Sequence, residues 1–233
     1  MILIVGGSSG LGKEYAKRCK ERGFDFLIIS RNIREEFHDK IWECNLGSSD
    51  SIKSVIDRMN IEGKRFSSII FFQRSRHHDS QTQWDEEFSV SVTATREFIR
   101  SSNDLLYPKG NRSIVVITST VTRLVSPNAS DSYHVAKSAL LQLVKYYARE
   151  LGPKGVRVNA VSPFTFLKPE NRDFYLASKD WMETVSDKIP LRRSCSSDDV
   201  LNAIDFLIGN ESSYITGQEI VVDGGFSLSA GTS

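Results

Sequence analysis

Ile2-Leu3-Ile4-Val5-Gly6-Gly7-Ser8-Ser9-Gly10-Leu11-Gly12 decides how the rest of the chain is read. Four consecutive aliphatic residues suit a strand buried on both faces, and the apolar spacing over residues 11–22 suits a helix. The glycines between them make a tight turn. A strand, a glycine turn and a helix N-terminus in that order build a site for a pyrophosphate. Missing Cβ atoms let phosphates approach the backbone, while free N–H groups and the helix dipole favour negative charge. Gly6, Gly10 and Gly12 are spaced G-x-x-x-G-x-G, not the G-x-G-x-x-G of the commoner dinucleotide fingerprint. The competing reading is an ordinary βα turn rich in glycine. The position after the first strand and the Ser8-Ser9 pair favour the phosphate site.

Outward from this turn, short β-branched or aromatic runs alternate with longer amphipathic stretches. Strands are expected over residues 1–5, 24–30, 40–44, 67–72, 112–119, 156–162 and Glu219–Val222. Helices are expected over residues 11–22, 49–60, 85–102, 133–151 and 197–208. This alternation predicts an α/β fold, a single doubly wound parallel sheet of about seven strands with helices on both faces. Gly23 is placed to close the first helix, and Ser196-Ser197-Asp198-Asp199 to open the last. Residues 31–39 are too few for a crossover helix, so a turn or one short helical turn is expected there. No Gly-, Pro- or Ser-rich linker divides the chain, and residues 1–233 read as one domain. Residues 163–194 carry Pro163, Pro169 and Pro190 after a predicted strand. They read as an irregular substrate-loop insertion over the carboxyl ends of the strands.

Ser30-Arg31-Asn32 ends the second strand, where the adenosine ribose of a dinucleotide would sit. An acidic residue there would accept from a free 2′-hydroxyl. Arg31 instead offers a fork of donors to a 2′-phosphate. NADP is therefore expected over NAD, the alternative being that Arg31 is a solvated loop residue. Farther on, Tyr133 and Lys137 stand four apart in a helical segment and share a face. An ammonium beside a phenol favours the phenolate, which suits proton exchange with a carbonyl or alcohol oxygen. Alone, Y-x-x-x-K arises often by chance. Ser119, fourteen positions before Tyr133 at the end of a predicted strand, gives it weight. Its hydroxyl would emerge at the sheet edge that carries the glycine turn.

With these residues assembled, the chain resembles the short-chain dehydrogenase/reductase family over essentially its whole length, and the resemblance implies a Rossmann-like fold. The family's T-G-x-x-x-G-x-G is similar to residues 5–12, with Val5 in the threonine place. Its Asp-hydrophobic pair resembles Asn45-Leu46, its serine Ser119, and its Y-x-x-x-K Tyr133 with Lys137. R-V-N-x-V-x-P-G resembles Arg157-Val158-Asn159-Ala160-Val161-Ser162-Pro163-Phe164. Ile189-Pro190-Leu191-Arg192, and Tyr214-Ile215-Thr216-Gly217-Gln218 through Val222-Asp223-Gly224-Gly225, are similar to its C-terminal pattern. The resemblance implies that Tyr133 exchanges a proton with the substrate oxygen while Ser119 holds that oxygen. It implies that Lys137 supports Tyr133 and binds the nicotinamide ribose. Cofactor contacts are implied at Gly6, Ser8, Ser9, Gly10, Leu11, Gly12, Ser30, Arg31, Asn45, Leu46, Phe72, Gln73, Tyr133, Lys137, Pro163 and Phe166. A homo-oligomer, tetramer or dimer, is implied through the helices at 85–102 and 133–151.

Several positions depart from that pattern. Phe71-Phe72-Gln73-Arg74 replaces the family's N-N-A-G, and bulk there would crowd the cofactor ribose unless the backbone shifts. The helix asparagine falls on Ser91, a fourth catalytic candidate whose hydroxyl could hold a relay water. Phe164 stands for the glycine after Pro163, and Lys168 for a nearby threonine. A non-catalytic dinucleotide-binding sensor or partner subunit therefore stays open, as does a lyase- or epimerase-like use of the site. The complete Ser119–Tyr133–Lys137 set favours a carbonyl/alcohol oxidoreductase. Cations follow three of the predicted strands: Arg74, Arg76, His77 and His78, then Arg123, then Lys168 and Arg172. Arg74, Arg76, Arg123 and Lys168 read as a rim that selects an anionic or sugar-derived substrate, or else as polar loops facing water.

Composition excludes other classes. Thirty Lys+Arg against 29 Asp+Glu give a net charge of +1, with no basic excess for a phosphate backbone, so nucleic acid is not expected. Hydrophobic residues at 39% and charged residues at 25% suit a globular chain. The longest apolar runs are too short to cross a bilayer, and the stretch from Met1 shows no basic n-region or small-residue cleavage site. No membrane partner is expected, and a cytoplasmic location is. Cys19, Cys44 and Cys195, odd in number and widely spaced, read as reduced. His77-His78-Asp79 lacks ligand spacing, so no metal is expected.

Overall fold

In the computed structural model, which describes residues 1–75, 82–167 and 172–229 (side chains of Arg172 and Phe174 excepted), β1 (Ile2–Val5) organises the sheet. It pairs in parallel with β2 (Phe26–Ser30) on one side and β4 (Ser68–Phe71) on the other, so that Val5 lies opposite both Ile29 and Phe71. β3 (Ile41–Glu43) adds beyond β2. β5 (Arg112–Ile117), β6 (Val156–Pro163) and β9 (Glu219–Val222) follow beyond β4, giving the all-parallel order β3-β2-β1-β4-β5-β6-β9. The chain reverses direction across the sheet between β1 and β4. That is the switch point at which open α/β sheets leave a crevice at the carboxyl ends of their strands.

The aliphatic run of β1 divides by parity between two cores. Leu3 and Val5 pack with Ile69, Phe71, Ile114 and Val116 under α2 (Ser49–Ile61) and α6 (Asp131–Leu151). Ile2 and Ile4 pack with Ile28, Ile70 and Val115 under α1 (Gly10–Glu21) and α9 (Ser197–Ile208). Burial of each such side chain contributes about 1.5–3 kcal/mol, which is why a strand covered on both faces carries no polar position. Gly23, at φ +70°, ends α1 as expected from the sequence. α9 opens on a reciprocal cap: Ser196 Oγ accepts from Asp199 N, and the Asp199 carboxylate accepts from Ser196 N at 2.8 Å. A bidentate ion pair from Arg193 holds the Asp199 carboxyl well below its ordinary pKa, against the cost of partial burial. The linker before β3 is the short 3-10 turn Glu35–Lys40, as its length required.

Four expectations need correction. The strand expected over 112–119 stops at Ile117. The Thr118 amide still reaches Val161 O, at 2.9 Å, but Ser119 then caps the 3-10 turn Thr120–Thr122 and takes the chain off the sheet. The strand expected over 40–44 shrinks to β3. The single helix expected over 85–102 runs as α3 (Gln83–Glu87), a π turn at Phe88–Thr93 and α4 (Ala94–Arg100), then breaks at Ser101 before α5 (Ser102–Leu105). Residues 163–194 are far from irregular. They include β7 (Phe166–Leu167), paired with β8 (Cys195–Ser196), as well as α7 (Arg172–Ala177) and α8 (Lys179–Asp187). Ser178 caps α8, and Trp181, Val185 and Ile189 form a small core of their own with Phe164, Tyr175 and Phe226. Phe226 opens the last short helix, α10 (Phe226–Ser229). Among the described residues no helix is long and apolar enough to cross a membrane, and no group of three or more His, Cys, Asp or Glu could hold a metal ion. Cys19, Cys44 and Cys195 form no disulfide, and burial pushes the Cys19 thiol up to about 12.

Candidate active site

Two connected depressions open at the carboxyl ends of β1, β2, β4, β5 and β6. The first is a groove beside the glycine turn. Gly6 has φ +85°, and a Cβ there would lie 2.6 Å from Gln73 N, so only glycine lets the turn press against the chain leaving β4. A Cβ on Gly12 would lie 2.7 Å from Gly6 O, which packs the base of α1 equally tightly. Ser8 Oγ shares a 2.5 Å hydrogen bond with Ser30 Oγ and ties the turn to the end of β2. α1 starts at Ser9 with no acidic residue in its first turn, which leaves its positive end facing the groove uncompensated.

Gly6, Ser8, Ser9, Ser30, Arg31, Leu46, Phe72 and Gln73 line this groove, together with Asn32, Arg34, Arg74 and Val90. Three arginines and, among the described residues, no acidic residue line it. A helix N-terminus, a close-packed glycine turn and an arginine-lined rim fit the phosphates of a dinucleotide. Asn45 does not line the groove, because its side-chain oxygen accepts from Gly47 N at 3.1 Å in a local turn. Gln73 lines it by its backbone. Its side chain is buried the other way, with Nε2 donating to Thr95 Oγ1 at 2.7 Å. Of the four residues at the N-N-A-G position, Phe71 is in the core and the Gln73 side chain is turned out of the groove, while Phe72 and Arg74 remain in its lining.

The second depression is a cleft of about 450 Å³ that shares Ser9, Phe72 and Arg74 with the groove. Gly10, Leu11, Ser119, Tyr133, Lys137, Pro163 and Phe166 also line it. Tyr133 and Lys137 project from the first turns of α6, whose N-terminus is capped by Ser130 Oγ accepting from Tyr133 N at 3.2 Å. Lys137 is only 3% exposed and donates from Nζ to Ile117 O at 2.9 Å, so its long side chain is fixed rather than free to wander. Its Nζ lies 5.6 Å from the centre of the Tyr133 ring, and the Arg74 guanidinium carbon lies 5.7 Å from the same centre. Ser119 is half-buried, and its Oγ accepts a long 3.4 Å bond from Val121 N. A hydroxyl that only accepts here keeps its proton for another oxygen.

A loop and an aromatic cluster complete the walls. Ser126 N donates to His134 Nε2 at 3.0 Å, which puts the ring proton on Nδ1, 2.7 Å from Ser130 O. His134 thereby holds the loop whose Ser126, Asn128 and Ala129 face the cleft. Opposite stand Phe164, Tyr175 and Trp181, with ring centres 6.1 Å apart for Phe164–Trp181 and 5.0 Å for Tyr175–Trp181.

Other candidates lie elsewhere. Ser91 does not line the cleft: it is fully buried in the π turn and donates its hydroxyl to Glu87 Oε1. Arg123 is absent from the lining as well. Its Nε and a terminal nitrogen both donate to Glu219 Oε2, at 2.9 and 2.7 Å, so its charge is already paired. Arg76, His77, His78 and Lys168 fall outside the described residues. Sequence reading missed Arg34, although it lies three residues after Arg31 on the same loop. It also missed Trp181 and Tyr175, for which the Ser178 cap and the 181/185/189 spacing were the available signal.

Residues 5–227 match the family model described as enoyl-(acyl carrier protein) reductase. An isoepoxydon dehydrogenase of Aspergillus clavatus is 28% identical over 241 residues, covering 96% of this chain and 93% of that one. A tropinone reductase homolog of Arabidopsis thaliana is 30% identical over 245 residues, covering 97% and 78%. A solved 4-hydroxyisoleucine dehydrogenase mutant, complexed with NADH and succinate, superposes with a TM-score of 0.86 at 24% identity, covering 100% of this chain and 99% of that one. Together with the sheet order, the glycine turn and the shared cleft, these matches place the chain in the short-chain dehydrogenase/reductase family of oxidoreductases.

Proposed function

We propose that this chain is an NADP-dependent carbonyl reductase or alcohol dehydrogenase acting on a small anionic or sugar-derived substrate. The observation that carries the reading is that Ser119, Tyr133 and Lys137 line one cleft continuous with a groove rimmed by Arg31, Arg34 and Arg74. The groove would hold the dinucleotide, with the glycine turn and the start of α1 at the pyrophosphate and Arg31 with Arg34 at a 2′-phosphate. When bound, the nicotinamide supplies the hydride donor or acceptor. The chain's own residues handle the oxygen. Ser119 donates a hydrogen bond to it, and Tyr133 gives or takes the proton. The nearby Lys137 cation offsets the charge left on the phenolic oxygen when its proton departs. The aromatic wall of Phe164, Tyr175 and Trp181 excludes water from the reacting carbon. The dehydrogenase and reductase names of the relatives fit the same reaction class.

Ligand that binds only the folded state raises its stability by about 2.7 kcal/mol at a hundred times Kd. NADPH should therefore raise Tm clearly, and more than NADH at equal concentration, in a thermal-shift titration. No shift with either nucleotide at millimolar concentration overturns the cofactor assignment.

Arg74 carries the substrate half of the reading. At saturating nucleotide, Arg74→Ala should raise KM for the best substrate about tenfold and leave kcat within about threefold, the pattern of lost uniform binding. It should also flatten the fall of kcat/KM with salt, since one fewer cation attracts the anion across a screening length of about 8–10 Å. An unchanged KM, or a best substrate that is neutral, overturns the anionic assignment.

A further inference from the structure

Glu219, the first residue of β9, lines neither the groove nor the cleft, yet its carboxylate is where the Ser119 turn is tied to the sheet. Its side chain is 7% exposed. Oε1 accepts from Ser162 Oγ at 2.5 Å and from Thr122 Oγ1 at 2.9 Å, while Oε2 accepts from Arg123 Nε and a terminal guanidinium nitrogen. Ser162 has a single proton, and an ionised carboxylate can only accept. The proton therefore points to Glu219, and the bond between Thr118 Oγ1 and Ser162 Oγ runs from threonine to serine, with Val161 O, 3.2 Å from Thr118 Oγ1, sharing the threonine proton. A directed chain Thr118→Ser162→Glu219 thus holds one side of Ser119, and Thr122 with Arg123 holds the other. Thr122 Oγ1 lies 2.9 Å from both Glu219 Oε1 and Ser119 O and shares its one proton between them. Burial alone would push the Glu219 pKa up. The bonds from Ser162, Arg123 and Thr122 outweigh it and keep the carboxyl below its usual value, so the anchor stays charged.

We propose that Glu219 is a positioning residue for the reaction: it fixes the 118–123 turn from behind and so sets the direction of the Ser119 hydroxyl in the cleft. The inference rests on the proposed role of Ser119. A small error in that direction weakens a hydrogen bond that must form at the reacting oxygen, and misplacement on the order of 1 Å lowers turnover by up to ~10²-fold. Among the described residues neither Glu219 nor its hydrogen-bond partners line the nucleotide groove at β1, β2 and β4, so nucleotide binding should change little.

The test is a double-mutant cycle with a second readout. Glu219→Ala should lower kcat by at least about tenfold and leave the NADPH Kd within about threefold, whereas in a Ser119→Ala background it should cost less than about threefold more. Glu219→Gln keeps acceptors for Ser162 and Thr122 but loses the charge facing Arg123. Its kcat should fall between wild type and Glu219→Ala, and it serves if the alanine variant does not fold. Amide hydrogen exchange of residues 118–123 should quicken about tenfold or more in Glu219→Ala while β5 is unchanged. Equal losses in both backgrounds, or unaltered exchange at 118–123, overturn the proposal. Should Ser119→Ala cost nothing by itself, the role of Ser119 fails and the positioning role falls with it, whatever the exchange shows.

Discussion

Tyr133→Phe should lower kcat by at least ~10²-fold, the usual contribution of a positioned general acid–base group, with little change in fold or nucleotide Kd. The expectation rests on how little else the hydroxyl supports. The Ser130 cap uses the Tyr133 backbone amide, not its side chain, and Lys137 is anchored independently on Ile117 O. Both cations sit against the ring rather than relying on the oxygen for their place. Phenylalanine therefore keeps the volume, the cap and both neighbours and loses one proton-bearing atom. Steady-state kinetics at saturating nucleotide, with Tm and near-ultraviolet dichroism as controls, separates lost chemistry from lost structure. A variant within a factor of three of wild type would remove Tyr133 from the proton path.

Arg31→Asp should swing cofactor preference from NADPH towards NADH by roughly tenfold to a hundredfold. A charge-assisted hydrogen bond contributes about 1.5–3 kcal/mol, and about 1.4 kcal/mol corresponds to each factor of ten. The substituted carboxylate would repel a 2′-phosphate and accept from a free 2′-hydroxyl, so both arms of the ratio move in the same direction. Arg34 and Arg74 remain in the groove and cap the size of the swing. NADH affinity should hold or improve. An unchanged NADPH/NADH ratio of kcat/KM would mean that Arg31 points to solvent and reads no phosphate.

Some of this architecture was written in local pattern and some was not. β1 and its glycine turn, the Glu219–Val222 strand and the capped Ser197–Ile208 helix follow from short-range signals: aliphatic runs, a serine cap, acidic residues in the first turn. Ser119 lies two residues past the end of its strand, because its own side chain caps the 3-10 turn that follows, which an aliphatic run does not reveal. Ser91 lay on the expected helix. Its hydroxyl goes to Glu87, four residues earlier, within a π turn that local periodicity does not announce. Arg123 fails for a different reason. Its partner Glu219 is 96 positions away, and no window of sequence shows that a rim cation has already been neutralised. The organised 163–194 segment was missed because three prolines outweighed a capped, amphipathic nine-residue helix.

That segment has a consequence for affinity. Phe164 stacks on Trp181 and Phe226, at 6.1 and 4.1 Å between ring centres, and at the same time forms part of the cleft wall. The small core around Trp181, Val185 and Ile189 is separate from the two large cores of the sheet, so this wall of the cleft is held by few buried side chains. Loosening that core by mutation would take a side from the cleft, and any fraction of molecules without stacked rings would lower the observed affinity in proportion. Selection on binding strength can then act through residues such as Val185 that never meet the ligand.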